Sequence, residues 1–102
     1  MTVLSVSDFM NWKDSGKAEE YIFDSDNNDS LTPCFRICMR FHIVSVSRAF
    51  RRIMFLEGKN SMIFERVKEV RIHEEFDTVG TVFDIVCESE DEREVPARFL
   101  AY

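Results

Sequence analysis

This sequence has few of the residues that usually break a chain into separate pieces. It contains three glycines and two prolines among 102 residues, and no internal repeat is found. No linker divides the chain, so we expect residues 1–102 to form a single domain. No run of about 20 apolar residues is present either, so no segment is predicted to cross a membrane as a helix.

Cysteine is scarce as well, and this bears on the compartment. The three cysteines, Cys34, Cys38 and Cys87, do not form the dense and even set that a disulfide framework needs. The first residues have neither the basic start nor the apolar stretch of a secretory signal. We therefore expect a reducing, cytoplasmic location.

The motifs of familiar active sites are missing. His42 and His73 are the only histidines, and neither lies in a local motif with a nucleophile. The three glycines are too far apart to form a phosphate-binding loop. The carboxylates are spread over predicted turns, so no acid–base pair stands out. We predict that the protein is not an enzyme, and that it has no catalytic residue and no cofactor.

The chain does contain a strict alternation between Cys34 and Ile43. Every second residue there is large and apolar, namely Phe35, Ile37, Met39, Phe41 and Ile43. A period of two places these residues on one face of a β-strand. We therefore predict an extended segment whose five large side chains point inward together.

The same alternation argues against a metal site. Cys34, Cys38 and His42 recur every four residues, a spacing that would align them on a helix. On a strand, Cys34 and Cys38 lie about 13 Å apart, whereas zinc ligands lie within about 2.3 Å of the ion. The polar residues 24–30 resemble the start of a calcium loop, but the required Gly and bidentate Glu are absent. We predict no metal site.

The remaining pattern predicts the fold. An S-x-x-D start and Gly16 bound a short helix over residues 6–14, and short strands are predicted at residues 21–23 and in the C-terminal half. Residues 45–57 fit either a helix or a strand, and the turn around Gly58 favours a hairpin. The prediction is α+β: a curved antiparallel sheet of about five to six strands, a small barrel-like meander, with one short N-terminal helix.

The formal charge of −6 is unevenly distributed. Residues 1–33 carry two Lys against seven acids, residues 34–59 carry six bases against one acid, and residues 60–102 carry five bases against eleven acids. Two explanations stay open. The basic segment can pair with acidic residues on adjacent strands, or the two-signed surface can orient a partner.

Acidic turns suggest a function in protein binding. In the sharpest version, the protein is a small acidic inhibitor that blocks a basic nucleic-acid-binding surface on a nucleic-acid-handling partner. The chain resembles small anti-CRISPR proteins and other phage-encoded inhibitors in size and charge, with no shared motif. The predicted partner-binding residues supply charge for steering and one aromatic anchor, and they are Glu74, Glu75, Phe76, Asp77, Glu90, Asp91 and Glu92.

The sequence also fits two other functions. A nucleic-acid-binding β domain would use the arginines of the central hairpin, Arg48, Arg51 and Arg52, although the acidic remainder of the chain opposes this. A structural, self-associating β domain would form a homo-oligomer through an exposed edge strand. Residues 95–102 are the expected seam, because Pro96 restricts that strand to an edge or to a strand beginning.

Overall fold

The computed structural model describes residues 1–28, 36–76, 79–91 and 93–102. These residues contain one α-helix and nine β-strands. The elements are β1 (Thr2–Leu4), α1 (Val6–Asp14), β2 (Tyr21–Asp24), β3 (Cys38–Phe41), β4 (Ile43–Ser47), β5 (Arg52–Glu57), β6 (Asn60–Phe64), β7 (Val67–His73), β8 (Thr81–Cys87) and β9 (Ala97–Ala101).

The strands form two sheets in place of the single sheet that was predicted. Six strands are ordered β1-β7-β8-β9-β2-β3, and the other three are ordered β4-β5-β6. Every neighbouring pair is antiparallel, as predicted. The predicted number of strands was too low, and the described strands form two open sheets without a closed barrel.

The second sheet arises from a bend at His42, between β3 and β4. Met39 and Phe41 lie on the extended segment as predicted, and Phe41 is fully buried. The prediction was wrong for Ile43, which is 57% exposed, while its neighbour Val44 is buried. The bend shifts the alternation by one residue, and a shift of one position turns every following side chain to the opposite face. Phe35 lies outside the described residues.

The predicted N-terminal helix is confirmed as α1. The Ser5 hydroxyl caps its first turn by accepting a hydrogen bond from the Asp8 backbone N–H at 3.1 Å. Gly16 follows the helix with φ +74°, a conformation that favours glycine. The helix packs on the larger sheet because Phe9 is fully buried with its ring 5.4 Å from that of Phe83.

A cluster of buried aromatic rings joins the two sheets. Phe55 of β5 stacks on Phe99 of β9 with ring centroids 4.2 Å apart and an interplanar angle of 14°. Phe99 stacks in turn on Phe83, and Phe41 lies 5.8 Å from Phe55. Each aromatic pair adds about 0.5–1.5 kcal/mol beyond the burial of its surface. The inner faces of both sheets therefore share one core.

Residues 45–57 are strands, joined by a turn, and the predicted hairpin around Gly58 is confirmed. Gly58 has φ +56° at the first central position of a two-residue turn between Glu57 and Asn60. The expected seam at residues 95–102 was wrong, because β9 is hydrogen-bonded on both sides, to β8 and to β2. Pro96 precedes this strand, so it removes no donor from the ladder.

The helical content also bears on membrane insertion. Among the described residues, no helix has the length and apolar character needed to cross a bilayer.

Candidate functional site

The two predicted acidic turns lie at opposite ends of the larger sheet. Residues 74–80 connect β7 to β8, and residues 88–96 connect β8 to β9. Because β8 is seven residues long, its two ends are separated by about 20 Å. The predicted partner-binding residues are therefore divided between two separate places.

In the β7–β8 turn, both described carboxylates already contact other groups of the protein. Glu74 accepts a hydrogen bond from the Thr2 hydroxyl and binds the amino group of Met1 at 3.0 Å. These contacts lower the pKa of Glu74 from 4.5 to about 2. Glu75 lies 2.7 Å from Nδ1 of His73. Asp77 lies outside the described residues.

Phe76 of the same turn is held by side chains of the protein itself. The residue is 42% exposed, and the guanidinium of Arg98 lies 5.0 Å from its ring centroid. The ring of His73 approaches it edge-on at 5.6 Å. Phe76 therefore covers a polar cluster, and only its outer side is accessible to a partner.

The β8–β9 turn has the less compensated acidic charge. Glu90 and Asp91 are exposed, and within the described ranges neither forms an ion pair. Asp91 accepts hydrogen bonds from the Ser89 hydroxyl and from the backbone N–H of Arg93, which lower its pKa. Glu92 lies outside the described residues. This turn keeps its negative potential toward solvent.

The arginines of the central hairpin have acidic neighbours. Arg51 binds Glu88 through both terminal nitrogens, one of them at 3.1 Å, and Arg52 binds Glu65 at 3.2 Å. Arg48 is exposed, and no ion pair of Arg48 occurs among the residues that are described. Pairing with carboxylates reduces the charge that these side chains can offer to phosphate groups.

The residues considered for metal binding have other roles where they are described. His42 binds Glu57 through Nδ1 at 2.6 Å, while Asp24 and Asp26 both bind Arg36, at 3.0 and 3.2 Å. Cys34 lies outside the described residues. No cluster of three potential metal ligands occurs in the described part of the chain.

A polar cluster that the sequence did not predict lies on the outer face of the larger sheet. Asp84, in the middle of β8, is only 4% exposed. Its carboxylate accepts two hydrogen bonds from Arg98, at 2.8 and 3.0 Å, and lies 2.7 Å from Nε2 of His73. Glu75 contacts Nδ1 of the same ring at 2.7 Å, so the imidazole of His73 lies between two carboxylates.

The environment of Asp84 explains its ionisation. Desolvation by burial opposes the charged form, but the hydrogen bonds from Arg98 and His73 outweigh it and lower the pKa of Asp84 below its ordinary value. The pKa of Arg98 is raised, mainly by its hydrogen bond to Asp84. The cluster is thus a satisfied ion network.

A groove of about 440 Å³ crosses the same face beside this cluster. Three arginines line it, and each binds a carboxylate: Arg36 binds Asp24, Arg40 binds Glu20, and Arg98 binds Asp84. The described lining of the groove therefore contains no unpaired cation for an anionic ligand. Its charges stabilise the sheet instead.

The smaller sheet has a different outer face, which we call the hairpin face. On β5, Ile53 and Phe55 are buried against the core, so Met54 and Leu56 point outward. Cross-strand partners extend this apolar surface, because Leu56 lies opposite Ile43 and Met54 lies opposite Ile63. The hairpin face consists of Ile43, Phe50, Met54, Leu56 and Ile63.

The hairpin face is accessible to solvent. Ile43 is 57% exposed, Ile63 is 52% exposed and Phe50 is 68% exposed. Phe50 lies at the turn between β4 and β5, where the guanidinium of Arg52 lies 5.4 Å from its ring centroid. A contiguous exposed apolar surface with charged neighbours is typical of a protein interaction site.

Unpaired positive charges lie at the two ends of the hairpin face. Arg48 lies in the turn between β4 and β5, and Lys59 lies in the turn between β5 and β6. Both side chains are exposed, and neither has an ion-pair partner in the part of the chain that is described. The rim of the hairpin face is therefore basic, although the whole chain is acidic.

The sequence contained a signal for the hairpin face that the fold prediction did not use. Residues 53–56 are Ile, Met, Phe and Leu, so both faces of this strand are apolar. Such a run is typical of a strand that is covered on both faces. In the described structure only the inner face is covered, and the outer face is left exposed.

Comparison with known proteins adds no functional information. No family model, no curated protein and no solved structure matches this chain.

Proposed function

We propose that this chain is a non-catalytic protein-binding domain and that a partner protein docks on the hairpin face. The observation that supports the proposal is the exposure of Ile43, Ile63 and Phe50 on a short, antiparallel three-stranded sheet and its turn. Burial of apolar surface gives about 25 cal/mol per Å². The exposed side chains of this face can therefore contribute binding energy that the fold leaves unused.

The charges around the hairpin face support a partner with acidic side chains. Arg48 and Lys59 place positive charge at both ends of the apolar surface. A complementary partner presents apolar side chains between acidic ones, since such a pattern sets the orientation and the rate of association. Aromatic and aliphatic anchors at the centre and charges at the rim are the usual arrangement of such interfaces.

The first experiment compares two variants in affinity capture from the organism that encodes the chain. Ile63→Asp changes the hairpin face, whereas Val79→Asp introduces the same charge at a 97% exposed position of the β7–β8 turn. We expect wild type and V79D to retain the same partner and I63D to lose it. Calorimetric titration of the purified partner should then show at least a ten-fold weaker affinity for I63D. Equal affinities of both variants would contradict the proposal.

A second candidate is the inhibitor of a basic nucleic-acid-binding surface. It is supported by Glu90 and Asp91, whose charges are exposed in the β8–β9 turn without an ion pair in the described ranges. In this case, Glu90→Lys together with Asp91→Lys slows association with the partner and reduces its salt dependence. Addition of nucleic acid competes with the wild-type protein for the same partner surface. Unchanged association of the double variant would contradict this candidate.

A mobility-shift assay with an oligonucleotide distinguishes direct binding of nucleic acid from these two candidates. A labelled oligonucleotide would then shift at low salt with the wild type, and Arg48→Glu would reduce the shift. Because Arg51 and Arg52 already bind carboxylates, we expect no shift with the wild type.

A further inference from the structure

The free edge of β6 differs from the other sheet edges of the molecule. At the opposite edge of the same sheet, the Val44 carbonyl accepts a hydrogen bond from Nζ of Lys13 at 3.0 Å. In the larger sheet, β1 has only three residues and β3 carries Arg40. Residues 60–64 include no charge and no proline. An edge without these features is open to pairing with another strand.

The hydrogen-bond pattern shows which groups of β6 are available. Glu57 and Asn60 close a two-residue turn, so they form a hydrogen-bonded pair, and alternate pairs beyond them do the same. Ser61 and Ile63 lie in the intervening pairs, so their backbone N–H and C=O groups point away from β5. In the described part of the chain, β6 is hydrogen-bonded to no other strand.

We propose that β6 pairs antiparallel with β6 of a second copy of this chain, centred on Met62. In this register, Ser61 of each copy lies opposite Ile63 of the other, and both residues have free backbone groups. The two pairs form about four intermolecular hydrogen bonds. The two three-stranded sheets then join into one continuous sheet.

The charges that flank β6 select this register. Lys59 precedes the strand and Glu65 follows it, so pairing centred on Met62 places each lysine opposite the glutamate of the other copy. Pairing centred on Ser61 would place Lys59 opposite Ile63, and pairing centred on Ile63 would place Glu65 opposite Ser61. Lys59 has no ion-pair partner among the described residues, while Glu65 binds Arg52 at 3.2 Å and keeps a side chain that is 62% exposed. Of these three registers, only the one centred on Met62 places a carboxylate opposite Lys59.

Self-pairing goes beyond the proposed function. The second copy adds to the edge of the sheet and leaves the hairpin face uncovered, so the dimer presents two such faces side by side. A single strand pair buries a small area, and a weak dimer is therefore expected. A monomeric protein would overturn the dimer without affecting the docking proposal.

Sedimentation equilibrium of the purified chain between about 10 μM and 1 mM tests the pairing. We expect the mass to rise with concentration from 12.0 kDa toward twice this value. Ser61→Pro removes an outward N–H without removing a bond to β5, so this variant should stay monomeric while its circular dichroism matches that of wild type. A monomeric wild type, or a dimer that S61P leaves unchanged, would overturn the proposal.

A charge swap tests the register directly. Lys59→Glu places two glutamates opposite each other in both symmetric pairs and should weaken the dimer about ten-fold. Lys59→Glu combined with Glu65→Lys restores the opposite charges and should restore the affinity. Lys17→Glu, at an exposed position far from β6 along the chain, is the control with the same change in charge. A double variant as weak as K59E would exclude the register centred on Met62.

Discussion

The outer faces of the two sheets differ in where their side chains find partners. On the larger sheet, Arg98 and His73 both bind Asp84, and the arginines of the groove bind carboxylates. On the smaller sheet, the exposed residues of the hairpin face are apolar and contact solvent. Charged groups are abundant on the first face, yet they are already used within the fold. The hairpin face has fewer charges, but it has more exposed apolar surface that a partner can bury.

The difference shows why charge alone is a poor guide to a binding surface. Ion pairs at exposed positions contribute little, typically below about 1 kcal/mol, and they also reduce the charge available to a partner. The predicted acidic surface illustrates this at Glu74 and Glu75, which have partners inside the protein. Exposed apolar side chains, in contrast, have no partner within the protein that reduces what they can contribute to binding.

The largest effect is expected at the inner face of the smaller sheet. Ile53 is fully buried and Ile63 is 52% exposed, so the same substitution can be compared on the two faces. Ile53→Ala leaves a cavity in the shared core and should lower the free energy of unfolding by about 3–4 kcal/mol. Ile63→Ala should change it by less than about 0.5 kcal/mol. Urea denaturation measures both values, and similar losses would mean that the hairpin face is not free.

A somewhat smaller loss of stability is expected when the polar cluster of the larger sheet is disrupted. Asp84→Asn removes the charge that Arg98 and His73 bind, and it should lower the free energy of unfolding by about 2–3 kcal/mol. The value lies below that of a fully buried pair because the Arg98 side chain is 34% exposed. Glu90→Gln is the control for loss of one acidic charge. If D84N and E90Q had the same stability, the cluster would not be structural.

The same cluster predicts a dependence on pH. The pKa of Asp84 is lowered in the folded state, so its stabilising contribution is complete above the unfolded pKa of about 3.9. The contribution is lost as the pH falls below this value through the folded pKa. The stability difference between wild type and D84N should therefore shrink in acid. Denaturation curves at pH 7 and at about pH 2.5 provide the measurement, and a constant difference would contradict it.

Much of the fold followed from local patterns in the sequence. The helix at residues 6–14, the strands at residues 21–23 and 81–87 and the hairpin around Gly58 were all predicted from spacing and turn residues. The division into two sheets was missed, although Ile43 and Val44 are adjacent apolar residues and mark the change of phase. The order of the strands could not be predicted from local patterns either. The last strand, β9, pairs with β2, which lies near the other end of the sequence.

The polar cluster and the hairpin face were harder to predict from the sequence. Asp84 lies between apolar residues in a strand, and its burial depends on Arg98 and His73, 14 and 11 residues away in sequence. Only the register of β7, β8 and β9 brings these groups together. The exposure of Ile63 likewise depends on which sheet face meets the core. Periodicity predicts that two faces exist, while tertiary packing decides which face is covered.

The smallest effect on stability is expected at Phe76, at the solvent-exposed side of the polar cluster. Phe76 was predicted as an anchor for a partner, yet its ring lies 5.0 Å from the Arg98 guanidinium and beside His73. Phe76→Ala should lower the free energy of unfolding by about 0.5–1 kcal/mol, since a partly exposed cation–π contact is lost. Val79→Ala, at a 97% exposed position of the same turn, should have no measurable effect. If thermal denaturation gave equal stabilities for the two variants, Phe76 would contribute nothing to the cluster and its ring would be free to contact a partner.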